Sequence, residues 1–379
     1  MIIVSHPNVN QYVRALLYAL ETKGRLQEFH TTLCFGRRRV AIPKRKIFEH
    51  AHFELVRLLG ERLRQNWLAG HDSGLASVDA VARMLDRRVA RRVKSGDTVY
   101  CYEDSALTTF RAAKKLGAKR YYELPIMYWT ATQKLLQEEA MRYPQWEPTL
   151  LATRDSSAKL ERKSEELALA NLVICPSRNV QKSLPGGKYS QIAKYGCPPP
   201  VELERMPRKG RRLRFLFVGA MTQRKGLADL FAAFNQLTRS DIELVVLGVR
   251  LLPLEFYRRE FPDFTFEAPR PHGLVKQMML SCDVLVLPSI VEGRAMVQTE
   301  ALSCGLPIVV TANAGAEDLV EPGKTGFVVP IRNPEALAER LNWIADHRDW
   351  VTDIRPDVLE KARQSGWDGY TDAILSAIL

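Results

Sequence analysis

The chain has 379 residues, 46% apolar and 26% charged, which is too long for one ordinary core and too balanced for a disordered or fibrous chain. No run of about 18 apolar residues occurs, so no spanning helix is expected, and no basic segment precedes an apolar core at the amino terminus, so no signal peptide is expected. The formal charge of +12 is uneven: residues 1–200 carry 33 Lys and Arg against 19 Asp and Glu, whereas residues 201–379 carry 22 against 24.

The basic excess is densest at Arg37–Lys46 and Arg87–Lys94. Such a surface suits a solvated face, an anionic membrane leaflet or an anionic acceptor. Aromatic residues do not alternate with the charge and no recognition motif accompanies it, so nucleic acid is not expected as a partner. Six cysteines (Cys34, Cys101, Cys175, Cys197, Cys282, Cys304) form no C-x-x-C pair and sit mostly at strand ends or in apolar runs. They are expected to be reduced packing residues of a cytoplasmic protein, peripheral at the inner membrane face if the basic half meets lipid.

In chain order, the first half offers β-type runs at 1–5, 97–103, 119–125 and 171–177, with helices at 12–24 and 106–117, each closed by a glycine. Residues 126–170 read as helical and highly charged. Residues 186–212 concentrate Gly, Pro and basic side chains, as in an interdomain linker. The second half offers runs at 213–219, 242–248, 264–268, 283–288, 307–311 and 325–330, most of them separated by helical segments such as 226–237 and 334–346. These runs are continuously apolar, as expected when helices cover both faces of a parallel sheet. The fold class predicted is α/β, two doubly wound domains facing a cleft. A last helical stretch covers 366–379.

Two stretches carry chemistry. In "FVGAMTQRKG" (217–226) a buried strand ends at Gly219, and Arg224 and Lys225 precede a helix opening at Gly226. A glycine admits close backbone approach, and two cations beside a helix amino terminus suit a diphosphate. In "SIVEGRAMVQTEALSCG" (289–305), Glu292 lies in a turn after a buried strand, and Glu300 lies inside a short helix. The N–H groups of Arg294 to Val297 leave the helix's first turn without internal partners, and carboxylates accept from hydroxyls. Alone, each stretch reads first as an ordinary strand–helix connection. Together, at strand ends of one sheet, they offer cations to a diphosphate and acceptors to polyols, which describes a nucleotide-sugar. No phosphate-binding G-x-x-x-x-G-K-[ST] loop exists, and no G-x-G-x-x-G follows a strand.

These two stretches, extended to "CDVLVLPSIVEGRAMVQTEALSCGLPIVVT" (282–311) and followed by "GAEDLVEPGKTGFVVP" (315–330), resemble the carboxyl-terminal domain of retaining GT-B glycosyltransferases of family 4, with its E-x7-E signature at Glu292 and Glu300. "AKYGCP" (193–198) and the W-x-x-Y of Trp367–Tyr370 resemble that family's linker and its final helix, which crosses back to the first domain. The resemblance implies two Rossmann-like domains: 1–196 on the acceptor side, 197–355 on the donor side, and 356–379 crossing back. It implies Glu292 on the donor sugar, Glu300 on the ribose, and Arg224 and Lys225 neutralising the leaving diphosphate. Backbone groups of Gly219, Ala220, Gly293, Arg294, Ala295, Met296 and Val297 would complete the donor site, with the base near Arg270 and His272. On the acceptor side it points to His6, Asn8, Asn10, Glu103 and Glu123.

It implies a nucleotide-diphosphate sugar of UDP or GDP type as co-substrate, no cofactor and no metal, and a saccharide or lipid-linked acceptor. No D-x-D triplet, the metal-bridging element of GT-A transferases, is present. Retention by front-face attack, with the leaving phosphate taking the acceptor proton, is the expected chemistry. Four positions depart from the common pattern: Ala220 replaces an arginine, Arg294 and Ala295 stand in the E-G-F-G turn, the loop after the first strand lacks glycine, and Glu123 stands where a histidine is common. Arg294 is expected to affect donor choice. A catalytically silent nucleotide-sugar-binding protein of the same fold and a sugar-nucleotide epimerase-like enzyme are the alternative readings.

Overall fold

A computed structural model describes residues 1–34, 40–63, 65–201 and 212–379. Arg37–Arg39 of the first basic run and residues 202–211 of the linker lie outside them. Seven parallel strands form the first sheet: β1 (Ile2–Ser5), β2 (Leu26–Thr31), β3 (Ile47–Glu49), β4 (Thr98–Tyr102), β5 (Lys119–Glu123), β6 (Leu172–Cys175) and β7 (Ser190–Ile192), in the order β3-β2-β1-β4-β5-β6-β7. Six form the second: β8 (Leu213–Val218), β9 (Ile242–Leu247), β10 (Phe264–Glu267), β11 (Val284–Leu287), β12 (Ile308–Thr311) and β13 (Gly326–Val329), in the order β10-β9-β8-β11-β12-β13.

All six second-domain strands fall where apolar continuity placed them, because a strand covered on both faces must be apolar throughout; every residue of β11 and β12 is buried. β2, β3 and β7 were not read from the sequence. β2 mixes polar side chains into its run, and the edge strands β3 and β7 bury no residue fully.

The strand order reverses between β1 and β4 in one sheet and between β8 and β11 in the other. Loops leaving such neighbours diverge to opposite faces and open a crevice at the carboxyl ends of the strands. The loops after β1 and β4 therefore face those after β8 and β11.

Two elements fix one domain on the other. Trp146, in the turn Pro144–Thr149 of the first-domain segment, is fully buried among Phe231, Phe256 and Tyr257 of the second domain. Its indole N–H donates to Glu260 at 2.9 Å. The helix Arg355–Gln364 stays on the second domain, where Arg355 donates to the carbonyl oxygen of Cys304. Only Trp367–Ile378 returns to the first domain, burying Tyr370, Ile374, Leu375 and Ile378 against its core. The crossing thus begins after Gln364 rather than at 356. All six cysteines are buried thiols. Among the described residues no helix is long and apolar enough to cross a membrane.

Candidate active site

The facing loops enclose a cleft of about 660 Å³, whose lining includes Asn8, Tyr12, Tyr102, Glu103, Gly219, Arg224, Lys225, Glu292 and the turn Arg294–Val297. Gly219 follows β8 with φ +151°, and a Cβ there would lie 2.7 Å from the Lys225 side chain. Glycine thus lets that lysine lie flat across the strand end. The N–H of Gly219 donates to Leu247 at 3.0 Å, completing the β8–β9 ladder, so it is not a ligand donor as expected from sequence. The N–H of Ala220 has no acceptor among the described residues.

Arg224 and Lys225 sit in the 3₁₀ turn Gln223–Lys225, and Gln223 anchors that turn to both domains. Its amide donates to Glu139 at 2.6 Å and to Asp229 at 2.8 Å. Lys225 reaches Glu292 at 2.6 Å, and Arg224 reaches the same oxygen at 3.4 Å while donating to the Val291 carbonyl at 2.9 Å. Burial alone would raise the Glu292 carboxyl, but Lys225 and Arg224 outweigh it and hold it at about 2. Burial pulls Lys225 down against the attraction of Glu292. The Glu292 carboxylate thus occupies both cations.

Gly293 lies where the two domains approach each other tightly. A Cβ there would lie 1.7 Å from the Pro125 carbonyl oxygen, and Ser177 donates to the Gly293 carbonyl at 2.7 Å. Gly293→Ala is therefore expected to shift the turn against the first domain and lower turnover about 100-fold, as an ångström-scale misplacement does. Steady-state kinetics beside a melting curve would check it, and an unchanged kcat would refute the tight-approach reading.

The Arg294 guanidinium is buried, donating to Tyr195 O at 2.9 Å, Gly315 O at 3.0 Å and Asp318 at 2.6 and 3.2 Å. It braces the turn against the linker, and nothing in these contacts links it to donor choice. The N–H groups of Arg294, Met296 and Val297 have no acceptor among the described residues, whereas Ala295 N–H already reaches Ala314 O at 3.4 Å.

Glu300, on the helix Met296–Ser303, lies 3.2 Å from His272 Nε2. Burial lifts the Glu300 carboxyl to about 7 against the attraction of Lys276, and burial together with Lys276 depresses His272. His272 also meets Gln11 of the first domain at 3.1 Å. Arg270 pairs with Glu267.

On the first domain only Asn8, of the three residues expected in the loop after β1, lines the cleft. Asn10 accepts from Val13 N–H at 3.1 Å as cap of the helix Gln11–Thr22. His6 is buried behind the floor, 3.2 Å from the Tyr12 hydroxyl, and desolvation pushes it down to about 3. Glu123 is also beneath the floor, fully enclosed. Glu103 lines the cleft and pairs with Lys163 at 2.7 Å. A second cavity of about 360 Å³ adjoins the first and shares Glu103, Ile126 and Arg224 with it. Lys163, Ile126 and this second cavity carried no sequence signal, because the helix Ser157–Leu169 and the turn after β5 meet only in the fold. Among the described residues no cluster of three or more His, Cys, Asp or Glu is arranged to hold a metal.

Residues 202–364 match the glycosyl transferases group 1 family. A colanic acid biosynthesis glycosyltransferase of Salmonella typhimurium, itself named as putative, is 31% identical over 207 residues, 46% of this chain and 48% of that protein. A D-inositol 3-phosphate glycosyltransferase of Catenulispora acidiphila is 30% identical over 177 residues, 42% of each. The chain spans about half the length of the curated relatives it matches. The whole fold is that of the sucrose-phosphate synthase of Thermosynechococcus elongatus, with a TM-score of 0.65 at 16% identity over 99% of this chain and 97% of that one. The Anabaena protein HepE, solved in complex with UDP, gives 0.64 at 15% identity over 100% and 99%. The two facing parallel-sheet domains are thus the GT-B arrangement.

Proposed function

We propose that the protein is a glycosyltransferase that moves a sugar from a nucleotide-diphosphate sugar to a saccharide or lipid-linked acceptor, with retention and without a metal. The observation that carries this is the Glu292–Lys225–Arg224 cluster at the strand switch point. A bound diphosphate replaces Glu292 on the two cations and frees its carboxylate to accept from the sugar hydroxyls. The open N–H groups of Ala220, Arg294, Met296 and Val297 complete an anion cradle. As the sugar–oxygen bond breaks, charge grows on the diphosphate, where Arg224 and Lys225 stabilise it. The leaving phosphate takes the acceptor proton on the face it departs from. The acceptor reaches that face along the first-domain wall of the cleft, past Glu103. The names of the relatives and the UDP held by HepE accord with a nucleotide-sugar donor and a role in polysaccharide or glycolipid assembly.

A thermal-shift panel of UDP-, GDP-, ADP- and dTDP-sugars tests the reading, since a ligand held only by the folded state raises Tm. The panel is followed by NMR of the product anomer. One donor is expected to stabilise and to yield a product of retained configuration; inversion would refute the mechanism, and no stabilisation by any donor would refute the function.

Glu300 adds a pH signature. Its carboxylate is the better acceptor for ribose hydroxyls, and it forms as pH rises through about 7. Nucleoside diphosphate affinity is expected to increase a few-fold across that range. Glu300→Gln should flatten the curve in calorimetric titrations.

A further inference from the structure

The helix Ala51–Arg62 is inside out. Leu55, Val56, Leu59 and, just beyond it, Leu63 share one face and are 49%, 43%, 54% and 57% exposed. On the opposite face Glu54 is buried and accepts from the Nε and Nη2 groups of Arg57, each at 2.7 Å, and both side chains line the cleft. A helix of a soluble protein normally turns its apolar stripe inward. This one turns it to solvent and continues it through Trp67, 64% exposed. Phe53 of the same helix, 44% exposed, borders a groove of about 410 Å³ against the helix Val78–Ala90, and the groove's lining includes Leu75, Arg83, Arg87, Arg88 and Arg91 but no carboxylate. Arg83, Arg87 and Arg91 recur at four-residue spacing, which brings like charges together. Among the described residues none of the four guanidinium groups has an ion-pair or hydrogen-bond partner.

An exposed apolar stripe, linked through Phe53 of the same helix to an unneutralised arginine row, matches the two layers of an anionic leaflet: acyl boundary and headgroup phosphate. We propose that the outer face of Ala51–Leu63, with the arginine groove that Phe53 borders, docks the protein on an anionic lipid bilayer and so holds the cleft mouth at the membrane surface. A saccharide carrier anchored in that bilayer then presents its headgroup to the side of the cleft that Glu54 and Arg57 line. Docking itself does not depend on the transfer reading, and vesicle binding and donor binding are measured separately.

The full chain is sedimented with vesicles of phosphatidylcholine alone and of an equal mixture with phosphatidylglycerol. Binding is expected only to the mixture and is expected to fall with salt. Arg87→Ala/Arg88→Ala/Arg91→Ala should lower partitioning about 100-fold, at about five-fold per arginine. Leu55→Ser/Leu59→Ser should lower it as well, without a change in the thermal shift given by the nucleotide-sugar. Equal binding to both vesicles, or wild-type binding by the arginine variant, overturns the proposal. So does a dimer that the serine variant dissociates, which would make a second copy the cover of this face. Tight binding of inositol hexakisphosphate without vesicle binding also overturns it, because the groove would then serve a soluble anion.

Discussion

Glu292→Gln is expected to lower the rate of sugar transfer about 1,000-fold while tightening, not weakening, the binding of nucleoside diphosphate. The rate effect follows from removing a charged acceptor beside the reacting sugar, where loss of one well-placed group typically costs a factor of 10²–10³. The affinity effect follows from the resting geometry. Lys225 at 2.6 Å and Arg224 at 3.4 Å are both engaged by Glu292 before any ligand arrives. A diphosphate must displace that carboxylate, and the neutral amide competes less well. A glutamate that merely capped the turn would give a stability loss and no gain in diphosphate affinity. Parallel measurement of kcat and of nucleoside diphosphate Kd separates the two.

The second large effect concerns Glu123. It ends β5, and neither carboxyl oxygen has a hydrogen-bond partner. Burial lifts its pKa to about 8, only partly opposed by the Tyr100 hydroxyl, which lies close without reaching hydrogen-bond geometry. Tyr12 of the helix Gln11–Thr22, Tyr100 and Tyr102 of β4, Tyr195 of the linker and Tyr370 of the last helix all face it electrostatically. The carboxyl is therefore protonated in the folded protein at neutral pH, whereas the unfolded chain releases the proton near 4.5. Between those values the folded state binds the extra proton, so stability is greatest below about 4.5 and declines as pH rises towards about 8. The shift bounds this loss at ~5 kcal/mol. Glu123→Gln, which keeps the shape and cannot ionise, should flatten the fall of Tm between mildly acidic and mildly alkaline pH. Identical Tm–pH curves for variant and wild type would contradict the buried-acid assignment. Glu300 contributes a slope of the same sign, so the comparison is the difference between the two curves.

Much of the second domain was legible in the sequence because its strands are covered on both faces and therefore apolar throughout. The loops that carry Arg224, Lys225 and Glu292 follow directly from those strands, which is why the candidate donor site is legible in the sequence. Less was legible where contacts are made across the chain. Nothing in "PQWEPT" announces that Trp146 would enter the core of the other domain, nor does Arg294 reveal that its guanidinium is committed to Asp318. The charge count also misled in part. Lys159 and Lys163 contribute to the basic excess, yet both are spent on Asp79, Asp155, Glu103 and Asp104 inside the fold. Arg87, Arg88 and Arg91 belong to the surplus that remains exposed, and they share a groove with Phe53 and Leu75.

Titration calorimetry of UDP and GDP into the wild type and into Arg224→Ala/Lys225→Ala tests the central claim most directly. One nucleotide should bind the wild type and lose roughly 100-fold or more in affinity in the variant, because two charge-assisted contacts to the diphosphate disappear. Equal affinity for both proteins, or no binding of either nucleotide to the wild type, would contradict the assignment of this cleft to a nucleotide-diphosphate sugar.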